Sequence, residues 1–395
     1  MTSNILHFLL SLIMIFGIGW LISYNKRGVK LRYVVQILVI EIVLAWVLLY
    51  SQAGVYLISG LSGVFTNLMS YARVGTDFVF GGLVNDNQFS FFLFVLCPII
   101  FISALIGILQ HLRILPLMIK GIGYLLSKIN GMPRLESFNA VSSLLVGQSE
   151  NFIAIKDIVP HLNERRMYTL SATAISTVSM SIVGSYMTLL EPRYVMLSLI
   201  LNMLSTFAVL QVVNPYSDEA DNEMPKLTVP KHSFVEMLGE YIMAGFKMAM
   251  IVAAMLVGFN ALLAMINAIF MGGFGKSFQD IIGYLFYPIA WLTGIVSHDS
   301  LTAGSIMGTK IVANEFVAML QMKDLIAHLE PRTVAILSVF LVSFANISTV
   351  GIIAGAVKSI EEVQGNMVAR AAFRLLVGAT LVSLLSASIV GLVYR

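Results

Sequence analysis

Two short polar stretches interrupt an otherwise apolar chain, and they hold the residues that can do chemistry. The first is Gly147-Gln148-Ser149-Glu150. The second, Gly308–Met319, reads Gly-Thr-Lys-Ile-Val-Ala-Asn-Glu-Phe-Val-Ala-Met and carries Lys310, Asn314 and Glu315. An ionised carboxylate in hydrocarbon costs about 3 kcal/mol on insertion scales, so it needs a partner, a wet cavity or a bound proton. The plain alternative, a carboxylate in a surface loop, is weakened by the presence of one such interruption in each half of the chain. Further on, Phe344-Ala345-Asn346-Ile347-Ser348-Thr349 adds an amide, two hydroxyls and an aromatic face. Gln148 and Ser149 beside Glu150 can read the edge of a heterocycle by donor–acceptor pairing. Glu315 with Asn346, Ser348 and Thr349 can accept from vicinal hydroxyls while the amide donates, and Phe344 offers a stacking face. The set suits a neutral, hydroxyl-rich solute with a polar ring, and by chemistry alone sugars or amides fit as well. It lacks the clustered arginines that phosphate or carboxylate solutes demand.

The elements that must position these residues lie in a membrane. Of 395 residues, 58% are hydrophobic and 11% charged, and the mean hydropathy is +0.89. Soluble domains carry about 25% charge, so this is an integral membrane protein with little soluble mass. Apolar runs near the ~20 residues of a spanning helix, and not the ~10-residue alternation of barrel strands, predict an all-α polytopic fold. A net charge of +3 and a pI near 8.8 do not point to nucleic acid, because the basic residues are dispersed over loops as orientation signals are. The single cysteine, Cys97, sits beside Pro98 within a span, which excludes an intrachain disulfide or a cysteine metal cluster. No cofactor or metal is expected. The N-terminus lacks a basic n-region, and Ile5–Tyr24 is long enough to span, so it reads as a retained helix.

Eight crossings and two re-entrant hairpins are predicted. The spans are about Ile5–Tyr24, Tyr33–Tyr50, Phe89–Gln110, Met167–Leu190, Tyr194–Val213, Phe234–Met271, Thr333–Lys358 and Ala371–Tyr394. Leu135–Pro160 and Ser297–Leu325 are too polar to cross alone and are expected to enter and return as hairpins lodged in protein. Gly54–Gly82 is expected to lie at the interface, as is Ile281–Val296. The hydrophilic Asn214–His232, with an acidic cluster from Asp218 to Glu223, reads as a solvated loop. This gives a scaffold region over 1–125, a first repeat over 126–213, a cytoplasmic loop over 214–232, a long scaffold helix over 233–272 and a second repeat over 273–395. With Lys26–Arg32 cytoplasmic, Arg113–Arg134, Arg165, Arg166, Lys358, Arg370 and Arg374 fall on the same side, which puts both termini outside.

An internal repeat supports the division. Residues 161–184 align without gaps on 328–351, with nine identities in 24 positions, among them His161 with His328, Arg165 with Arg332 and Ser181 with Ser348; about 10% is expected by chance. The two copies are predicted to have opposite topology, which places a solute site near the midplane where broken helices meet. The small polar residues of Thr177–Ser181 and Phe344–Thr349 mark those breaks. A membrane enzyme using Glu150 and Glu315 as an acid/base pair is the competing class. No His or Cys neighbours either glutamate, and His161, His298 and His328 fall at predicted element ends, so a transporter is the stronger reading.

Gly308-Thr309-Lys310 with Asn314-Glu315-Phe316-Val317-Ala318-Met319 resembles the signature of the concentrative nucleoside transporter family. Gly147-Gln148-Ser149-Glu150 resembles its first hairpin motif and Phe344-Ala345-Asn346 its seventh-helix motif, and the likeness covers the whole chain. The resemblance implies that Gln148, Ser149 and Glu150 face the nucleobase with Phe344 near it, while Glu315 and Asn346 hold the ribose. It also implies a homotrimer with elevator-like movement in a bacterial inner membrane, where the charge count puts both termini on the periplasmic side. Two departures matter. Thr349 stands where the family usually has Ser. Ser143 stands where sodium-coupled members carry Asn, and the other sodium-site positions hold Val146, Thr177 and Val178. Sodium favours carbonyl and carboxylate oxygens, so the resemblance points to the proton-coupled members. Glu315 is the first candidate proton acceptor and Glu150 the second, since a carboxyl in a low-dielectric site holds its proton more tightly. The implied substrates are nucleosides such as uridine, cytidine and adenosine; a sodium-coupled carrier of nucleosides or another polyol is the alternative.

Overall fold

The structure, a computed structural model, describes residues 2–83, 90–216 and 233–394, excepting the side chains of Thr2, Gly82, Ser149 and Glu150. Residues 217–232 of the expected loop, with its acidic cluster at Asp218–Glu223, and Phe89 of the third span lie outside the described residues. All regular structure among the described residues is helical. The order opens with α1 (Thr2–Leu21), α2 (Leu31–Tyr50) and α3 (Gln52–Phe80). A π-helical turn, Phe92–Leu96, then leads into α4 (Pro98–His111), a widened turn ahead of a proline that has no N–H to donate. Next come α5 (Ile114–Ile129), α6 (Arg134–Leu145), α7 (Gln148–Ala154), α8 (Glu164–Ser176), α9 (Met180–Met187) and α10 (Pro192–Val213). The second half holds α11 (Phe234–Phe274), α12 (Phe278–Leu292), α13 (Ser300–Val312), α14 (Glu315–Leu325), α15 (Pro331–Leu341), α16 (Ile347–Lys358), α17 (Glu362–Arg370) and α18 (Ala372–Val393).

Eight helical stretches among the described residues are long and apolar enough to cross a membrane, and seven of them coincide with expected spans. The 29-residue α3 qualifies by length and hydropathy. Its buried residues Gly54, Ile58, Phe65, Ala72 and Thr76 form one narrow stripe, which is the one-sided pattern behind the interfacial expectation. The predicted seventh span is missing from the eight because α15 and α16 are separate short helices, parted at residues 342–346. The fourth is interrupted likewise, between α8 and α9. α5 and α17 were not expected as elements. Their polar residues, Lys120 and Lys128 in α5 and Glu362, Gln364 and Arg370 in α17, hid the helical period of short amphipathic segments.

Burial separates centre from periphery. The spanning window of α10 is 94% buried and that of α11 only 17%. α10 is therefore the axis of the bundle, and its polar residues bond to neighbouring helices: Gln211 Nε2 donates to the Asn130 carbonyl at 2.6 Å and Asn202 Nδ2 to the Val342 carbonyl at 2.5 Å. At 41 residues, α11 is about 60 Å long, twice the thickness of a bilayer core, so it tilts or projects beyond it. α12 and α13 pack at backbone distance, because a Cβ at Gly304 would lie 2.7 Å from the Gly283 carbonyl oxygen.

The repeat is visible in the element order. Gln148 and Glu315 open α7 and α14, Glu164 and Pro331 open α8 and α15, and Met180 and Ile347 open α9 and α16, each pair 167 residues apart. His161 and His328 end equivalent 3-10 turns at the same spacing. The register is lost only at α17, which has no counterpart between α9 and α10.

α18 serves as a ruler for the direction of each copy. At its beginning, Tyr168 of α8 donates to the Arg374 carbonyl at 3.1 Å, and the Arg374 guanidinium lies 4.3 Å from the Tyr24 ring centre. Arg165 donates to the Tyr24 carbonyl at 3.1 Å, and Lys30 to that of Tyr216 at 3.1 Å. Lys30, Arg165 and Arg374 thus share one end of the bundle, as their basic character predicts. At the far end of α18, Arg332 of α15 donates to the Gly391 and Gly294 carbonyls at 2.6 and 2.8 Å. α8 and α15 therefore start at opposite ends of the same helix. With Cys97 replaced by Ala, cysteines introduced at the exposed His161 and His328 are expected to react with an impermeant thiol reagent from opposite faces of the membrane. Reaction of both from one face rules out the inversion.

Candidate functional site

The site lies where the interrupted helices meet. Residues 177–179 and 342–346 touch directly, with the Phe344 N–H donating to the Thr177 carbonyl at 3.4 Å. Each interruption ends in a residue suited to restart a helix. Asn346 is extended and its Oδ1 accepts from the Thr349 N–H at 2.9 Å, capping α16. Asn314 does the same for α14 through the Val317 N–H at 3.0 Å, and the Ser179 side chain accepts from Ser181 N–H ahead of α9. Ahead of α7 stands Gly147, at φ 133° and ψ 162°, a conformation that side-chain-bearing residues avoid. Four helix N-termini thus open at equivalent repeat positions.

Glu315 is the hub. It is the first residue of α14, is buried, and uses both carboxylate oxygens: Oε1 accepts from the Tyr186 hydroxyl at 2.9 Å and Oε2 from Asn346 Nδ2 at 2.8 Å. One carboxylate thereby links the second hairpin, the break before α16, and α9 of the first repeat. Asn346 Oδ1 accepts additionally from Ser348 at 2.7 Å, so the amide oxygen is committed to its own helix and the amide nitrogen to Glu315. The rings of Tyr186 and Phe316 meet edge to face with centres 5.0 Å apart, closing this side to water. Tyr186 was absent from the expected set. Its signal, a tyrosine among apolar residues of a predicted span, is shared with Tyr194 and carries no spacing that singles it out.

Gln148 and Phe344 line a narrow, partly open cleft, together with Ser179, Ser181 and the first-hairpin turn at Val146–Gly147. Its opposite wall comes from α4 and α11, through Ser103 and Tyr241 among others. Gln148 Oε1 is buried and accepts no hydrogen bond from the described residues, so an unused acceptor stands at the cleft. The expected residues are thus divided: Gln148 and Phe344 face the cleft, while Glu315, Asn346, Ser348 and Thr349 form the bonded cluster beside it. The side chains of Ser149 and Glu150 lie outside the described residues.

The expected sodium positions are occupied by local bonds. Ser143 Oγ accepts from Asn151 Nδ2 at 3.0 Å, and Asn151 reaches Asn139 Oδ1 at 2.6 Å. Thr177 donates to the Thr173 carbonyl at 3.0 Å, and Val146 and Val178 carry no side-chain oxygen. The charge of Glu136 in this hairpin is paired with Arg166 of α8 at 2.8 Å in a buried ion pair, which Tyr216 joins at 2.9 Å. That pairing shows how a polar hairpin arm can stay buried.

Comparison with known proteins agrees with this architecture. Three family models tile the chain: the Na+ dependent nucleoside transporter N-terminus over residues 10–83, the nucleoside recognition Gate over 92–193, and the Na+ dependent nucleoside transporter C-terminus over 194–391. The chain belongs to the concentrative nucleoside transporter family; it is a transporter, not an enzyme. Purine nucleoside transport protein NupG of Bacillus subtilis is 35% identical over 97% of this chain and 98% of its own length. Nucleoside permease NupC of Helicobacter pylori is 28% identical, covering 96% and 95%. The structure of CNTnw in an inward-facing substrate-bound state matches with a TM-score of 0.94 at 28% identity, covering 99% of each chain. An outward-facing CNTnw variant matches with a TM-score of 0.90, covering 98% of this chain and 97% of that one.

Proposed function

We propose that the protein imports nucleosides such as uridine, cytidine and adenosine together with protons, across a bacterial inner membrane. The observation that carries the coupling is the pairing of a buried carboxylate with an unfit sodium position. Glu315 is enclosed by Tyr186 and Asn346, whereas Ser143 offers one hydroxyl already engaged by Asn151. The nucleobase binds at Gln148, whose side chain lines the cleft and whose amide oxygen has no partner among the described residues, with Phe344 against the ring and Ser149 and Glu150 contributing to the same recognition. The ribose hydroxyls bind at Glu315, Asn346 and Thr349, where a substrate hydroxyl replaces a bond that the cluster now makes internally. Because the same carboxylate takes the proton and the sugar, the two ligands are linked and each changes the affinity for the other equally.

The Bacillus relative is a purine nucleoside transport protein, so guanosine joins adenosine in the substrate panel. The wide apolar outer faces of α3 and α11 fit a homotrimer surrounded by lipid, with both chain termini on the periplasmic side. The test is uptake of labelled uridine and adenosine into sodium-free proteoliposomes. An imposed pH gradient, acid outside, is expected to drive accumulation, and a sodium gradient at equal pH is not. Accumulation that requires Na+ and ignores the pH gradient overturns the coupling and favours the sodium-coupled alternative.

A further inference from the structure

The signature of the second hairpin contains a charge that the transport scheme above does not use. Lys310 lies in the last turn of α13, fully buried. Its ammonium donates to the Phe340 carbonyl at 2.5 Å, to Ser343 Oγ at 2.7 Å and to Ser383 Oγ at 3.1 Å, which accounts for all three of its protons. It also stands 4.3 Å from the centre of the Phe340 ring. All three acceptors are uncharged. A carbonyl and two hydroxyls around a monovalent positive charge form the kind of shell that a soluble cation would occupy. The Phe340 carbonyl belongs to the C-terminal turn of α15, where helix carbonyls lack intrahelical partners and the dipole is negative. A fixed cation there satisfies the broken end of α15.

The place of this charge in the repeat is informative. Lys310 stands at the same 167-residue spacing from Ser143 as Glu315 does from Gln148, so the two copies differ at this position by a whole charge. In the first copy a neutral hydroxyl bonds the neutral Asn151. In the second, the ammonium bridges α13, the end of α15, the turn at 342–346 and α18. That turn carries Asn346, whose amide holds Glu315 on the other arm of the same hairpin.

We infer that Lys310 is a built-in cation that positions the substrate cluster: its ammonium fixes the 340–343 segment against the second hairpin and thereby aligns Asn346 with Glu315. It is a positioning residue that does not itself line the cleft, and a small soluble amine can replace it when the side chain is cut away. This rests on the proposed nucleoside site at Glu315 and Asn346, so both are measured together.

The test is equilibrium uridine binding to the purified full-length protein. Lys310→Ala and the similarly long but uncharged Lys310→Met are expected to bind about tenfold more weakly or worse, the scale of a lost charged hydrogen-bond set. Propylammonium, the fragment that Lys310→Ala removes, is expected to restore binding to that variant, while uncharged propan-1-ol is not. Lys310→Met, with the space filled, is expected not to respond. Wild-type affinity in Lys310→Met overturns the inference, as does rescue of Lys310→Ala by propan-1-ol equal to that by the amine. A folded, weakened Lys310→Ala that neither compound restores also overturns it. If Lys310→Ala is not recovered folded, Ser383→Ala decides. It keeps the ammonium and removes one acceptor far from the cleft, and unchanged affinity there counts against the proposal while a severalfold loss supports it. Failure of Glu315→Ala to weaken uridine binding would instead discredit the site itself.

Discussion

Glu315→Gln is expected to abolish proton-driven accumulation of nucleoside while sparing exchange. In counterflow, where labelled uridine enters against unlabelled uridine at equal pH, the variant should still turn over. With an acid-outside gradient it should equilibrate and stop. Glutamine keeps the length of the side chain, and its oxygen can accept from Tyr186 or from Asn346, but its nitrogen cannot accept from the other. The variant therefore carries a permanently neutral group where the wild type alternates between two protonation states. Coupling needs that alternation, because a ligand moves an equilibrium only through its differential affinity for the two states. Removing a carboxylate acceptor also weakens sugar binding, so the half-saturating concentration should rise in both assays. Accumulation against a gradient by Glu315→Gln would place the proton elsewhere, and Glu150 would be the next residue to replace.

The second large effect separates base from sugar. Gln148→Ala removes a side chain whose carbonyl oxygen has no partner among the described residues, so its loss costs the protein little and the substrate much. An amide hydrogen bond deleted from a dry site costs about 1–3 kcal/mol, roughly 5- to 150-fold in affinity. Asn346 requires a gentler change, since its oxygen caps α16 and an alanine there would add about 1 kcal/mol of lost capping. Asn346→Ser keeps a cap and deletes the amide nitrogen that holds Glu315. Its defect is expected to shrink for analogues lacking ribose hydroxyls, while the Gln148→Ala defect persists with them and shrinks for altered bases. Equal sensitivity of both variants to both kinds of analogue would refute the division.

Much of this was readable in the chain because membrane burial makes polar residues conspicuous. Glu315 and Gln148 stand out against apolar neighbours, and the repeat of residues 161–184 in 328–351 locates both helix breaks from the sequence alone. Asn346 stood out as well, but its role as a helix cap depends on an extended backbone at φ −145°, which composition does not encode. Tyr186 stayed hidden because its hydroxyl is one polar atom on an apolar ring. The pairing of Glu136 with Arg166 joins residues 30 positions apart on different helices, and neither flanking sequence announces the other. α3 shows how far such a pattern reads: a narrow buried stripe on a long helix gives the same amphipathic signal whether the rest meets headgroups or hydrocarbon.

The two walls of the cleft are built to different standards of rigidity. α4 and α11 are pressed together at glycines: a Cβ on Gly245 would lie 2.8 Å from the Ile100 Cα, and one on Gly107 only 2.5 Å from the Tyr241 ring. They are bound further by Ser103, which donates to the Tyr241 carbonyl at 2.8 Å. The facing wall consists of the first-hairpin turn and the helix break at Ser179–Ser181, whose chain is interrupted by design of its sequence. A Cβ at either glycine would have to part α4 from α11, so that wall can shift only as one body.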